Sequence, residues 1–417
     1  MPSSATPTET TTTTIESKDG TSSLTARILV GIGVGVALGM MLGARAAMFK
    51  PLGDIFINLL KMIIAPLMLC AIVSGVASLG SLVKLGRLGG KALLWYTTTG
   101  TLAIINGLIM VNMIGPGRNA GLKIAEDAAT KFEGYQKPSI VDDVLMKIVP
   151  DNIVKALADG QVLSILFFGA LMGAALTAIG DEGKPMMGFI EAFYKALMKL
   201  VEWVMLVAPF GIAALVAGIV GTTGAAVIKP LFKYMMTVMI GLAVHWVVLL
   251  GIFVFVVKRN PFAYIKMIAP ALTTAFGTAS SAATLPVTYD CLVGKAGISP
   301  RVASFFLPIS SMVNSDGTAV YEAVAAVFIA QVVGIELSIA QQATVFLVAM
   351  AASIGAPGIP SAGMVTLVMV LKAVHLPVAG IALLAPVDRL LDQSRTMTNI
   401  LGDCVGVAII DRSEVGK

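Results

Sequence analysis

From residue 337 to residue 371 the chain carries no charged side chain. A straight helix of that length would be about 50 Å long at about 1.5 Å per residue, against a bilayer hydrocarbon core of about 30 Å. One membrane span cannot absorb such a run. Its middle reads Ser353-Ile354-Gly355-Ala356-Pro357-Gly358-Ile359-Pro360-Ser361-Ala362-Gly363, and Gly and Pro in that density break a helix. Two half-helices meeting at a tip, a re-entrant hairpin, fit the length. The rest of the chain agrees on the solvent: 57% of its residues are hydrophobic and 13% charged, with a mean hydropathy of +0.90, where soluble domains carry about 25% charged residues. This composition excludes a soluble multi-domain enzyme, a disordered chain and a collagen-like fibre.

The net charge of +5 is spread between apolar runs, as at Lys84, Arg87, Lys91, Lys258 and Arg259. These look like the loop charges that orient helices in a membrane, and no basic and aromatic stripe of the kind that binds nucleic acid is present. Arg45 and Lys50 vote against the orientation the others favour, which puts both termini in the cytoplasm. Residues 1–24 are polar and rich in Thr and Ser and read as a disordered cytoplasmic tail. Apolar segments follow at about 25–44, 52–80, 91–115, 144–181, 190–222 and 231–257, with an exposed polar loop between Gly115 and Lys147. Cys70, Cys291 and Cys404 lie far apart and match neither a metal-ligand spacing nor a disulfide framework, so they read as buried free thiols. Trp95, Trp203 and Trp246 read as packing or interface anchors.

Between Pro261 and Leu292 the hairpin design recurs, with apolar flanks around Gly277-Thr278-Ala279-Ser280-Ser281-Ala282-Ala283-Thr284-Leu285-Pro286. Two such hairpins imply an internal repeat. Irregular backbone at membrane depth survives only where protein or water satisfies its amides, which is where transporters place substrates and ions. The alternative is a pair of ordinary kinked spans whose Ser and Thr bond their own helices.

Pro386 to Ile410 holds the densest chemistry. At about 100° per residue, Arg395, Asn399 and Asp403 fall at about −60°, −20° and +20° from Asp392, with Asp388 at about −40° and Thr396 at about +40°. All share one face. An ionised group at the bilayer centre costs about 2.5 to 3.5 kcal/mol on insertion scales, so the stripe must meet partners, water or ligand. A salt-bridge ladder accounts for Asp388. Asp403 has no cation within a turn and invites a bound one. Upstream, Ser310-Ser311-Met312-Val313-Asn314-Ser315-Asp316-Gly317-Thr318 is a sequence that unwinds a helix, and freed carbonyls with carboxylate oxygens suit a hard alkali cation. Asp316 and Asp403 are therefore cation-ligand candidates, with structural hydrogen bonding as the alternative. Glu322, one to two turns on, is a candidate for proton exchange, with an ion pair to Arg395 as its alternative.

The Ala279-to-Thr288 hairpin, the Asn314-Ser315-Asp316-Gly317-Thr318 break, the Ser353-to-Gly363 tip and the Asp392-to-Asp403 face resemble the glutamate/aspartate:cation symporters, the excitatory amino acid transporter family, over residues 25 to 411. The resemblance implies an all-α membrane protein with eight transmembrane helices, two re-entrant helical hairpins and inverted repeats, working as an elevator-type homotrimer. In that arrangement residues 25–80 and 144–222 form scaffold helices 1–2 and 4–5. Residues 91–115 form helix 3, and 231–411 supply helix 6, hairpin 1, helix 7, hairpin 2 and helix 8 of a transport domain, with hairpin 2 as the gate.

By the same resemblance Arg395 would hold the substrate side-chain carboxylate, a bidentate task suited to guanidinium. Asp392 would take the α-amino group with Thr396 and the Ile359 carbonyl; Asn399, Ser280 and Ser281 would hold the α-carboxylate; Thr318 and Gly363 would complete the pocket. Arg395 argues against a neutral amino-acid carrier and Asp392 against a C4-dicarboxylate carrier. One sodium site would use Asp403 with the carbonyls of Ser310, Asn314 and Asn399. A second would use the carbonyls of Met312, Ser353, Ile354 and Ala356, and a third Tyr96, Thr99, Asn314 and Asp316. The chain departs from the family pattern with Ser315 in place of Met, Pro357 in the tip, Gly100 at a hydroxyl position, and Ala279 and Gln393 where relatives carry an Arg. Glu322 resembles the proton-carrying glutamate of the animal transporters.

The expected activity is thus uptake of L-glutamate or L-aspartate across the plasma membrane, driven by Na+ and/or H+, with no other cofactor and no nucleic-acid partner. The alternatives are a proton-driven, sodium-independent carrier of acidic amino acids or C4-dicarboxylates and, in a different class, an anion channel. Enzyme chemistry is disfavoured: an intramembrane hydrolase needs a nucleophile beside a base, and His245 and His375 lie in apolar sequence far from the Ser-rich tips.

Overall fold

The computed structural model describes residues 18–84, 87–118, 120, 149–159, 161–355 and 362–414. Among these the chain is helical throughout, without a strand, as a bilayer requires of backbone that must satisfy its own amides. The helices are α1 (Lys18–Leu42), α2 (Lys50–Lys84), α3 (Arg87–Ile114), α4 (Ile153–Asp159), α5 (Val162–Ala178), α6 (Lys184–Thr223), α7 (Ile228–Val257), α8 (Pro261–Thr278), α9 (Ser281–Asp290), α10 (Pro300–Val313), α11 (Asp316–Val332), α12 (Ile339–Gly355), α13 (Ala362–Ala373) and α14 (Ile381–Glu414). Three stretches, Ala26–Phe56, Arg87–Ile114 and Ile228–Val257, are long and apolar enough to cross a membrane by length and composition; Ile339–Ser353 and Gly363–Ala373 are among the shorter apolar helices.

Several boundaries differ from the expected ones. α1 is already helical at Lys18, inside the stretch read as a disordered tail, because no Pro stops the helix and propagation adds one bond per residue; residues 1–17 lie outside the described residues. The apolar stretch expected over 144–181 contains two helices, α4 and α5, with Gln161 between them in extended backbone (φ −74°, ψ 91°). α6 starts at Lys184 with a Pro in its first turn, a position where the missing N–H costs nothing. Most of the polar loop expected after Gly115 falls outside the described residues.

α1, α2, α5 and α6 pack chiefly on one another, while α3 and α7 to α14 form a second group. The α1–α6 seam is built on glycines four apart: a Cβ at Gly35 would stand 2.6 Å from the Ala213 carbonyl oxygen, and one at Gly39 would stand 2.9 Å from that of Ala217. Small residues let two backbones meet where no hydrophobic force drives helices together. In the second group α11 is the axis. Almost every one of its side chains is buried, polar Asp316, Thr318 and Glu322 included, against α3, α7, α12, α13 and α14. At one end of this group Lys91 Nζ and Arg87 Nη2 each lie 2.5 Å from a carboxylate oxygen of Glu414, tying the start of α3 to the end of α14.

Candidate functional site

α14 runs unbroken through the charged stretch, so its 3.6-residue period sets Asp388, Asp392, Arg395, Asn399 and Asp403 on one face, and each of these side chains is buried. Arg395 is at the centre. Its Nη2 donates to Asp392 Oδ1 at 2.8 Å, its Nη1 lies 3.3 Å from Asp388 Oδ1, and the guanidinium carbon stands 3.8 Å from the centroid of the Tyr321 ring. Such a cation–π contact strengthens when desolvated. A Cβ at Gly363, the second residue of α13, would lie 2.8 Å from Arg395 Nη1, so hairpin backbone closes on the guanidinium. On the other side of Asp392 a second cation approaches, with Arg389 Nη1 3.7 Å from Asp392 Oδ2.

One turn and more along, the carboxylates meet the break between α10 and α11. Asn314 (φ −99°, ψ 99°) and Ser315 (φ −124°, ψ 54°) leave the helical region, as the polar run in this apolar sequence predicts. Asp403 Oδ1 accepts from the Ser310 hydroxyl and, at 2.9 Å, from Asn314 Nδ2. Thr99 Oγ1 donates to Asn314 Oδ1 at 3.3 Å, and the Gly317 N–H donates to Asn399 Oδ1 at 2.7 Å. Asp316 is 1% exposed, and neither of its carboxylate oxygens has a hydrogen-bond partner among the described residues. Buried carboxylate oxygens that accept no hydrogen bond fit a cation ligand, since an ion supplies the missing contact. The Tyr96 ring meets the Phe306 ring at a tilt of 50°, with the centroids 5.0 Å apart. Gly100 faces Met350 of α12, whose sulfur would stand 3.2 Å from a Cβ there.

The first hairpin has the geometry its sequence predicts. α8 ends at Ala279, in left-handed backbone (φ 51°), and Ser280 turns extended before α9 begins. Ser280 Oγ accepts from the Ala283 N–H as an N-cap, a role that satisfies an orphan amide. The hydroxyl expected to face substrate thus serves the backbone here, and buried Ser281 beside it makes no such cap. Thr396 Oγ1 likewise bonds the Asp392 carbonyl at 2.9 Å. Thr318 is buried at the start of α11, and Ser353 Oγ donates to the Met350 carbonyl. In the second hairpin α12 and α13 lie against each other. Ile359 and Ala356 lie outside the described residues, and of Met312 and Ile354 the backbone alone is described.

Two residues of this cluster were not found from the sequence. His245, read as an apolar-core histidine remote from the chemistry, sits with Nε2 3.4 Å from Asp316 Oδ2, fully buried. Arg389 was passed over. Both come from helix packing and burial; an Arg three residues before Asp392 was the one available hint, since i and i+3 share a face. Glu322 is fully buried, and neither of its carboxylate oxygens has a hydrogen-bond partner among the described residues.

A helical membrane protein that buries a guanidinium among several carboxylates, those of Asp316 and Glu322 without hydrogen bonds among the described residues, has the site of a carrier of small charged solutes. The sequence profile described as the sodium:dicarboxylate symporter family matches residues 24–413, and the chain belongs to that family: it is a cation-coupled symporter and not an enzyme. Among relatives, the proton/sodium-glutamate symport protein of Bacillus caldotenax is 36% identical over 90% of this chain and 92% of its own length. An excitatory amino acid transporter of Caenorhabditis elegans is 37% identical over 86% of this chain and 80% of its own length. A C4-dicarboxylate transport protein of Bacillus subtilis is 35% identical over 94% of both.

Proposed function

We propose that the protein carries L-aspartate or L-glutamate into the cell by Na+- and/or H+-coupled symport. The observation that carries the reading is the buried Arg395, bridged to Asp388 and Asp392 on the face that also bears Asp403. An acidic amino acid exchanges two of its charges into this network: its side-chain carboxylate takes the place of Asp392 on Arg395, and its ammonium takes the place of Arg395 on Asp392. Removing one partner of a buried pair costs about 3 to 5 kcal/mol, so a substrate bearing both groups is selected over one bearing neither.

In this reading Asn399, Ser280, Ser281, Thr318, Thr396, Gly363 and the Ile359 carbonyl complete the substrate pocket. Asp403, Ser310, Asn314 and Asn399 hold one sodium ion; Tyr96, Thr99, Asn314 and Asp316 a second; the carbonyls of Met312, Ser353, Ile354 and Ala356 a third. Glu322 carries a proton. α3 and α7 to α14 form a transport domain that moves as an elevator against a scaffold of α1, α2, α5 and α6. The protein works as a homotrimer in the plasma membrane with both termini cytoplasmic. The packing of the helices into these two groups and the relatives named as a glutamate symport protein and an excitatory amino acid transporter support the reading.

The test is uptake of labelled L-aspartate and L-glutamate into proteoliposomes under a sodium gradient alone, a proton gradient alone, and both. Accumulation that needs sodium assigns coupling to the Asp403 and Asp316 sites. Accumulation under protons with sodium absent assigns it to Glu322. No accumulation under any gradient refutes the proposal.

A further inference from the structure

Asp392 is contacted from two sides. Its Oδ1 accepts from Arg395 Nη2 at 2.8 Å, and its Oδ2 lies 3.7 Å from Arg389 Nη1, with the Arg389 side chain 4% exposed. The acidic amino-acid reading uses Arg395 and leaves Arg389 without a task, although burying a second guanidinium in a membrane site is costly. We infer that Arg389 is a specificity-determining residue: it stands in for a substrate ammonium on Asp392, and so lets the same pocket take amine-free C4-dicarboxylates such as succinate or fumarate beside acidic amino acids.

The charges balance in its favour. Asp388, Arg389, Asp392 and Arg395 sum to zero formal charge, and without Arg389 the sum would be one negative. An acidic amino acid enters with one net negative charge, a C4-dicarboxylate with two. When a dicarboxylate draws Arg395 onto its carboxylate, nothing on the ligand can neutralise Asp392, and the carboxylate would face a like charge in a dry pocket. Arg389, three residues before Asp392 on α14, supplies that cation from the protein. The presence of Asp392, which on sequence grounds speaks against a dicarboxylate carrier, thereby loses its force, and relatives at similar identity are named for both substrate kinds.

This inference rests on the symport reading above, and one experiment separates the two. Binding of labelled L-aspartate to the purified full-length protein is measured in saturating sodium at neutral pH, with succinate, fumarate and unlabelled aspartate as competitors. In the wild type succinate displaces aspartate with an affinity within about a hundredfold of aspartate's own; Arg389→Gln weakens succinate at least about tenfold more than it weakens aspartate; Arg389→Lys, which keeps the charge, holds the ratio within about threefold of wild type. Aspartate binding with no displacement by either dicarboxylate overturns this inference and leaves the symport reading standing. An Arg389→Gln protein that loses both ligands equally also overturns it. Failure of aspartate to bind at all sinks the symport reading and the inference together. Should Arg389→Gln not fold, Arg389→Met, which keeps bulk without the charge, repeats the comparison of the two ligands under the same criteria.

Discussion

His245 Nε2 lies 3.4 Å from Asp316 Oδ2, and neither side chain reaches solvent. The separation is longer than a direct hydrogen bond and short enough for an imidazole N–H to orient the carboxylate. His245→Ala is therefore expected to raise the sodium concentration for half-maximal substrate binding by about three- to tenfold, with His245→Gln restoring most of it because the amide keeps a donor. A sodium titration at fixed aspartate reads the difference. Equal behaviour of the two variants would remove His245 from the cation site.

Arg395 compensates two buried carboxylates at once. Arg395→Ala takes the guanidinium from Asp388 and leaves Asp392 with Arg389 alone; it is expected to abolish binding of acidic substrates and to destabilise the protein by about 3 to 5 kcal/mol. Adding Asp388→Ala should return part of that stability while binding stays lost, because neighbours in one network are non-additive. Thermal unfolding in detergent gives the first quantity and ligand binding the second. Additive losses in the double variant would show that Asp388 and Arg395 are not coupled.

A Cβ on Gly402 would fall 2.6 Å from Asp316 Oδ2 and 3.1 Å from Asn314 Nδ2. Gly402→Ala must push these side chains aside, at a cost of about 1 to 3 kcal/mol. Weaker sodium dependence, at least about tenfold in half-saturation, with a smaller change in substrate affinity at saturating sodium, is the expected signature. A variant with wild-type sodium dependence would place the cation elsewhere.

Glu322 is shut off from solvent in the middle of α11. If it exchanges the coupling proton, Glu322→Gln retains substrate binding but loses the stimulation of uptake by an inward acid gradient. Unchanged stimulation by acid in this variant would assign the proton to another group.

The polar residues of the site stood out in the sequence because each is expensive where it is found. Asp392, Arg395, Asn399 and Asp403 in an apolar helix, the Asn314-Ser315 run and the Ser-rich Ala279 reversal all break the apolar pattern, and α14, the α10–α11 break and the α8–α9 turn lie at those places. What pairs with what was less visible. Asp392 reads alone as an ammonium ligand, yet the fold sets Arg389 and Arg395 on either side of it. His245 is the one ionisable residue in the apolar run from Val238 to Val257, and its meaning comes wholly from the α7–α11 packing that delivers it to Asp316. Ser280 shows a second limit: its hydroxyl oxygen also caps the N–H of Ala283, a local demand that side-chain chemistry read by type does not reveal.

Gly363 allows backbone to come where any side chain would strike the Arg395 guanidinium. If α13 serves as the gate, door and lock share one part. Whatever occupies the guanidinium alters the seat on which the start of α13 rests, and whatever lifts α13 uncovers the charge that attracts the cargo. A gate built this way would need no separate sensor to report that the chamber is loaded, and a cargo too bulky to fit beneath residue 363 would hold it ajar.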